Sequence, residues 1–187
     1  MKNITSRLTL LSALLAGFFL LPGSLLAQGN LVSIKQVETA ESSVDSLQIG
    51  SAQTADVAQV GTASSTINFD QTGDENYMRI GQGENEGDKN LSLDALQKGS
   101  GNAARAIQLG ANSKMKLDQQ GDGLYLAASQ AGSDNSIDIA QTGMANASIV
   151  HQRGDALSAK IRQGGSFNSA YVSQSGTSSS VNVAQRD

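Results

Sequence analysis

From residue 97 onward the chain alternates between inward and outward character. Taking every second residue from Asn102 gives a row of four that ends on Gln: Asn102, Ala104, Ala106, Gln108. The next rows are Ser113, Met115, Leu117, Gln119; Leu124, Leu126, Ala128, Gln130; Asn135, Ile137, Ile139, Gln141; and Asn146, Ser148, Val150, Gln152. Leu157, Ala159, Ile161, Gln163; Asn168, Ala170, Val172, Gln174; and Ser179, Val181, Val183, Gln185 complete the set. The residues between them are polar or small, as in Lys114, Lys116, Asp118 and in Ser169, Tyr171, Ser173. A period of two marks a strand with one buried face. Each unit predicts a seven-residue strand, about 20 Å long.

The rows recur every eleven residues, and Gly follows the Gln by two positions at Gly99, Gly110, Gly121, Gly132, Gly143, Gly154, Gly165 and Gly176. Eleven residues also suit a right-handed helical coiled coil. The two-residue alternation argues against that, as does the Gly, which costs a helix about 1 kcal/mol each time it recurs. In a turn the same residue supplies positive φ without strain, so these eight are predicted turn glycines.

The unit continues backwards with imperfections. Leu91, Leu93, Ala95, Gln97; Asn76, Met78, Ile80, Gln82; Ser65, Ile67, Phe69, Gln71; and Gln53, Ala55, Val57, Gln59 all fit. Ser42, Val44, Ser46, Gln48 is weaker, and Asn30, Val32, Ile34, Gln36 lacks the following Gly. The turn at 83–90 is longer than the others and reads Gly-Glu-Asn-Glu-Gly-Asp-Lys-Asn. Fourteen strands follow, paired into seven rungs. One rung cannot bury its apolar face alone; stacked rungs make the core continuous. The expected fold is all-β: a β-solenoid of strand–turn–strand repeats that becomes cross-β on polymerisation, because each end presents unpaired backbone. Asn and Gln at the ends of the inward rows are expected to bond to their equivalents on the next rung. That ladder comprises Gln71, Asn76, Gln82, Gln97, Asn102, Gln108, Gln119, Gln130, Asn135, Gln141, Asn146, Gln152, Gln163, Asn168, Gln174 and Gln185.

Residues 1–27 read as a secretory signal peptide: Lys2 and Arg7 precede the apolar run Leu8–Leu21, and Pro22-Gly23-Ser24 breaks it before Ala27. Residues 28–41 form an amino-terminal segment or an irregular first strand, and 42–187 are the repeat domain. With Lys2 and Arg7 in the leader, the remainder keeps all 17 acidic residues against 11 basic ones. That balance gives no support to nucleic-acid binding. A polar, aromatic-poor composition suits disorder, but a disordered chain has no reason to hold an eleven-residue register. There is no Cys and therefore no disulfide.

Candidate chemistry is sparse. His151 is the single His and falls on an outward position, so no Ser has a His base at recognisable spacing. His/Cys metal sites are excluded by count. The carboxylates of Glu84, Glu86 and Asp88 alternate, but they lack the order of a helix-loop-helix calcium site or a calcium β-roll, and the loop reads as a solvated turn. Asp74, Asp122, Asp134 and Asp155 are read as turn charges that slow premature aggregation. No enzyme activity and no cofactor are expected. Two other readings are a monomeric β-solenoid adhesin, which should carry caps, and a β-helix enzyme, which needs acids and bases clustered on an outward face.

The repeat resembles the curlin family, the subunits of curli, extracellular amyloid fibres of Gram-negative bacteria. The family pattern Ser-x5-Gln-x4-Asn-x5-Gln is met in its second half by Gln71-Asn76-Gln82, Gln97-Asn102-Gln108, Gln130-Asn135-Gln141, Gln141-Asn146-Gln152 and Gln163-Asn168-Gln174. Its first half is met by Ser42-Gln48, Ser65-Gln71, Ser113-Gln119 and Ser179-Gln185. Leu91, Leu124 and Leu157 depart from it, and the Ser and Asn rows alternate irregularly. The resemblance implies stacking into a fibre with itself and a partner curlin subunit, passage through an outer-membrane secretion pore, and a place in biofilm and adhesion. Degenerate rows and outward Arg105, Lys114, Lys116, Lys160 and Arg162 look more like the minor, nucleating subunit than the major one.

Overall fold

The structure is a computed structural model that describes residues 6–11, 29–83 and 87–187. The strands are β1 (Ser6–Leu11), β2 (Leu31–Val37), β3 (Ser43–Ser51), β4 (Thr54–Val60), β5 (Thr62–Ala63), β6 (Thr66–Asp74), β7 (Tyr77–Gln82), β8 (Asp88–Lys89) and β9 (Ser92–Ser100). They continue with β10 (Ala103–Ala111), β11 (Lys114–Asp122), β12 (Tyr125–Ser133), β13 (Ser136–Met144), β14 (Ala147–Asp155), β15 (Ser158–Gly164), β16 (Ser169–Thr177) and β17 (Ser180–Arg186). No helix occurs among the described residues.

Two parallel sheets hold these strands. One runs β3-β6-β9-β11-β13-β15-β17 and the other β2-β4-β7-β10-β12-β14-β16. Consecutive long strands alternate between the sheets, so each rung is one strand of each, and seven rungs stack in register. Gln lies on Gln throughout: Gln97 on Gln119, Gln119 on Gln141 and Gln141 on Gln163 in one sheet; Gln108 on Gln130 and Gln130 on Gln152 in the other. β2 is the first of these strands, with Gln36 on Gln59. β1, inside the expected leader, lies antiparallel along β3 with Leu8 opposite Ser46; the rest of residues 1–28 is outside the described residues.

The strands exceed the predicted seven residues. Most run to nine, because they continue through the Gln-x-Gly sequence instead of stopping at Gln. Gly99, Gly110, Gly121, Gly132, Gly143, Gly154 and Gly176 lie within strands, and Gly165 lies just after β15. They pair with one another in the ladder, as Gly110 does with Gly132 and Gly121 with Gly143. All eight have φ between +94° and +146°, where side chains are strained. A Cβ on Gly132 would lie 2.0 Å from the carbonyl oxygen of Gly154. The glycines are therefore needed as much for the closeness of the next rung as for the bend.

The core lies between the sheets as one cluster and follows the predicted inward rows. Where β10 supplies only Ala104 and Ala106, β11 of the same rung supplies Met115 and Leu117. Large and small residues thus share the volume.

Arcs of two kinds join the sheets. Those leaving the β3 sheet hold the column Gln53, Asn76, Asn102, Leu124, Asn146, Asn168; those leaving the β2 sheet hold Ser42, Ser65, Leu91, Ser113, Asn135, Leu157, Ser179. The irregular Ser and Asn order becomes two separate columns, with Asn135 the one Asn on the serine side. Three arcs of the second kind are longer. Thr62 and Ala63 of β5 pair with Asp88 and Lys89 of β8, and Lys89 with Ala111, so the additional residues near 38–41, 61–64 and 87–90 stack on one another.

Candidate functional site

The chemistry of this molecule is concentrated in polar strips along the edges of its core. Two are glutamine ladders. In the β3 sheet the Nε2 of each Gln donates to the Oε1 of the next: Gln48 to Gln71, Gln71 to Gln97, Gln97 to Gln119, Gln119 to Gln141, Gln141 to Gln163 and Gln163 to Gln185, at 2.6–3.1 Å. In the β2 sheet Gln36, Gln59, Gln82, Gln108, Gln130, Gln152 and Gln174 do the same, at 2.6–3.3 Å. All from Gln48 to Gln174 are buried, while Gln36 and Gln185 are half-exposed.

The amide orientation is forced. The second N–H of most of these glutamines donates to a backbone carbonyl of the facing sheet, as in Gln97 to Tyr77, Gln119 to Ala103, Gln130 to Lys114 and Gln152 to Ser136, at 3.1–3.3 Å. A carbonyl only accepts, so Nε2 must take that side and Oε1 is left to face the preceding rung. Every amide therefore points its donor toward the carboxyl-terminal pole. Each Gln ties two sheets and two rungs together, at about 0.5–1.5 kcal/mol net per bond.

The asparagines behave differently from the expected ladder. Asn76, Asn102, Asn135, Asn146 and Asn168 do not bond to one another's side chains; where one lies above another, as Asn102 above Asn76 and Asn168 above Asn146, the lower Oδ1 accepts the backbone N–H of the upper residue. The Oδ1 of Asn102 accepts the backbone N–H of Leu124, 2.9 Å away, and its Nδ2 donates to the carbonyl of Gly121 at 2.7 Å. Asn135 repeats this with Leu157 and Gly154, and Asn146 with Asn168 and Gly165. The Asn side chain is one methylene shorter than Gln and meets the arc backbone first. This explains why Leu91, Leu124 and Leu157 are tolerated: the rung below needs only their N–H, and they fill the space at 1% exposure. Gln53 has the opposite fault. Its Nε2 reaches the Ile49 and Gly73 carbonyls, but its Oε1 is buried without a partner.

Three features escaped the sequence. The fourth residue after each Gln is left-handed: Gly101, Asn112, Gly123, Asp134, Ala145, Ala156, Phe167 and Ser178 have φ of 51–64°. Each N–H there donates to a carbonyl of the rung below, such as Asp134 to Ala111 and Ala145 to Asp122. Gly, Asn and Asp at half of these positions were the available signal. Ser148, at 0% exposure, sits between ladder members, accepting from Gln141 and donating to Gln163. Asp74, Asp122 and Asp155, read as bland turn charges, accept the backbone N–H of Ser51, Ser100 and Ser133 at 2.9–3.1 Å.

His151 is exposed and meets Tyr171 edge-on, with ring centroids 6.1 Å apart. No group of metal-ligating side chains occurs among the described residues. Glu84 and Glu86 of the acidic turn lie outside the described residues; Asp88 accepts the N–H of Gly110 at 2.9 Å.

Parallel strands stacked in register, with an apolar interior edged by amide ladders, define a two-sheet β-solenoid. The model of the curlin associated repeat matches residues 89–121, 115–143, 132–164 and 154–186, and the chain belongs to that family. No curated protein and no solved structure matches it.

Proposed function

We propose that the protein is a structural subunit of an extracellular curli-type amyloid fibre, exported by way of the signal peptide at residues 1–27 and taking part in biofilm and adhesion. The observation that carries this reading is the unbroken pair of glutamine ladders, which run the length of the described stack from β2 and β3 to β16 and β17. Family membership supports self-assembly in the same direction. Its partners in this reading are further copies, a second curlin subunit and an outer-membrane secretion machinery. Outward Arg105, Lys114, Lys116, Lys160 and Arg162 and the Leu-interrupted arc columns favour the minor, nucleating role.

Thioflavin-T kinetics test both levels. The chain is followed alone and as a trace addition to a fibre-forming curlin subunit of the same organism. Shortening of the partner's lag at low stoichiometry supports the nucleating role. Fast self-assembly without effect on the partner makes the chain a major subunit. A stable β-rich monomer that neither polymerises nor seeds refutes the fibre reading and leaves a monomeric adhesin. Within that assay, Gln108→Ala and Gln174→Ala should slow polymerisation more than Lys114→Ala and Lys160→Ala. Equal effects refute the ladder as the source of assembly.

A further inference from the structure

The charges of this chain are sorted by surface. On the outward face of the β3 sheet they cancel along a column: Lys116 lies between Asp94 and Asp138, and Lys160 lies beyond Asp138. The arcs are acidic, with Glu75, Asp122, Asp134 and Asp155 all exposed. The outward face of the β2 sheet differs from both. Up to the Gln of each strand, its outward positions hold one acid, Asp56, against Lys35, Arg79 and Arg105. All three tyrosines of the chain, Tyr77, Tyr125 and Tyr171, stand exposed on this face.

The arginines are placed at a cost. Arg79 and Arg105 are Cα partners on adjacent strands, and like charges set directly opposite destabilise a sheet. Asp56 relieves only Arg79, at 3.8 Å and with both side chains more than half exposed. Among the described residues Arg105 has no ion pair. One column across, Tyr77 and Tyr125 are both Cα partners of Ala103. Two rings therefore stand about 10 Å apart, two strand spacings, over a small residue. Tyr171 repeats the interval on β16, two strands beyond β12, displaced by two residues along the strand.

We propose that this face binds a linear acidic polysaccharide of low charge density, with a carboxylate on alternate sugars, lying along the stack. Arg79 and Arg105 donate to a carboxylate, which removes their mutual repulsion. Sugar rings present apolar C–H faces, and these rest on the tyrosine rings, with each phenol left to hydrogen-bond. Two sugars of an extended chain span about two strand spacings, so every second ring meets a tyrosine. The proposal goes beyond the fibre reading and needs only the fold of one chain. Single-stranded nucleic acid is also drawn to aromatic and basic faces, but it carries a charge at every residue. Beyond Arg105 the same column continues as Ala127 and Ile149, without a cation, and the acidic arcs repel a dense polyanion.

Biolayer interferometry tests this, with the chain recovered from exporting cells held on the sensor, so that monomer and polymer both give a reading. The probe is a hyaluronan decasaccharide, in which glucuronate alternates with a neutral sugar. A single-stranded oligonucleotide and a neutral glucan of the same length are the comparisons. Hyaluronan should bind more tightly than either, and less tightly as salt is raised. Arg105→Gln, which relieves the like-charge pair and leaves Arg79–Asp56 intact, should weaken binding about tenfold with no loss of thermal stability. Tyr125→Leu should weaken it by a similar factor, whereas Tyr125→Phe, which keeps the ring, should retain it. Lys116→Gln removes the same charge from the other sheet and should leave binding unchanged. Absence of hyaluronan binding overturns the proposal. So does an equal loss in Lys116→Gln, which makes the attraction one of net charge alone. Tighter binding of the oligonucleotide overturns it in favour of a nucleic-acid surface, and binding unaltered in Tyr125→Leu overturns the stacking on which the choice of a sugar polymer rests.

Discussion

Replacing Gly132 with Ala should be among the most damaging small changes to this fold, and its cost separates into parts. Gly132 has φ +118°, which strains a residue with a side chain on the order of 1–3 kcal/mol. The new methyl would meet the Gly154 carbonyl oxygen at 2.0 Å and Asn135 Nδ2 at 3.3 Å. That carbonyl already accepts from Asn135 at 2.7 Å, so the rungs must part by roughly an ångström and weaken two or three bonds of about 0.5–1.5 kcal/mol each. The sum is about 4 kcal/mol. With an m-value of about 2 kcal/mol/M, the urea midpoint followed by far-UV circular dichroism should fall by about 2 M. Two controls isolate the parts. Gly176 has φ +106° with no atom near its missing Cβ, so Gly176→Ala should cost the strain alone, about 1–3 kcal/mol. Gly81 has open space and no positive φ, so Gly81→Ala should stabilise by about 0.4–1 kcal/mol. If Gly132→Ala shifts the midpoint no more than Gly176→Ala does, the close approach of the rungs is not what requires Gly, and the reasoning fails.

Further outcomes follow from single positions. Gln53→Asn shortens the side chain so that its oxygen can accept the Asn76 N–H, as Asn76 does for Asn102; it should stabilise by about 1 kcal/mol in the same unfolding assay. Phe167 is 80% exposed and has φ +61°, so Phe167→Gly should raise stability by about 1–2 kcal/mol by relieving the left-handed strain. Ser148→Ala removes a hydroxyl that donates to Gln163, while Gln141 keeps the Tyr125 carbonyl and Gln163 Oε1 as acceptors, so it should cost only the net worth of one bond, about 0.5–1.5 kcal/mol. Ser173→Ala, on an outward position of β16, serves as the neutral comparison.

Much of this molecule was legible in the chain because its repeat obeys one geometric rule at every rung. A side-chain period of two fixes which residues face inward, so Ile137, Ile139, Val150 and Ile161 could be assigned to the core from alternation alone. The eleven-residue return of Gln gave fourteen strands in seven rungs for the same reason, since identical residues stack when the register never slips. Pairing across sheets, the arc geometry and the direction of the amides were not legible, because each depends on a distance between residues remote in sequence. No local signal tells Asn102 that the first acceptor within reach is the Gly121 carbonyl, or that Leu124 will present its N–H there. The asparagines reach the next rung through its backbone N–H instead of its side chain, on that one-methylene difference. The separation of the Asn and Ser columns likewise appears only when alternate units go to opposite sides of the core. The sequence therefore determined the composition of every rung, while the tertiary structure decided how the edges are satisfied and, through the facing carbonyls that orient each Gln, which pole donates and which accepts.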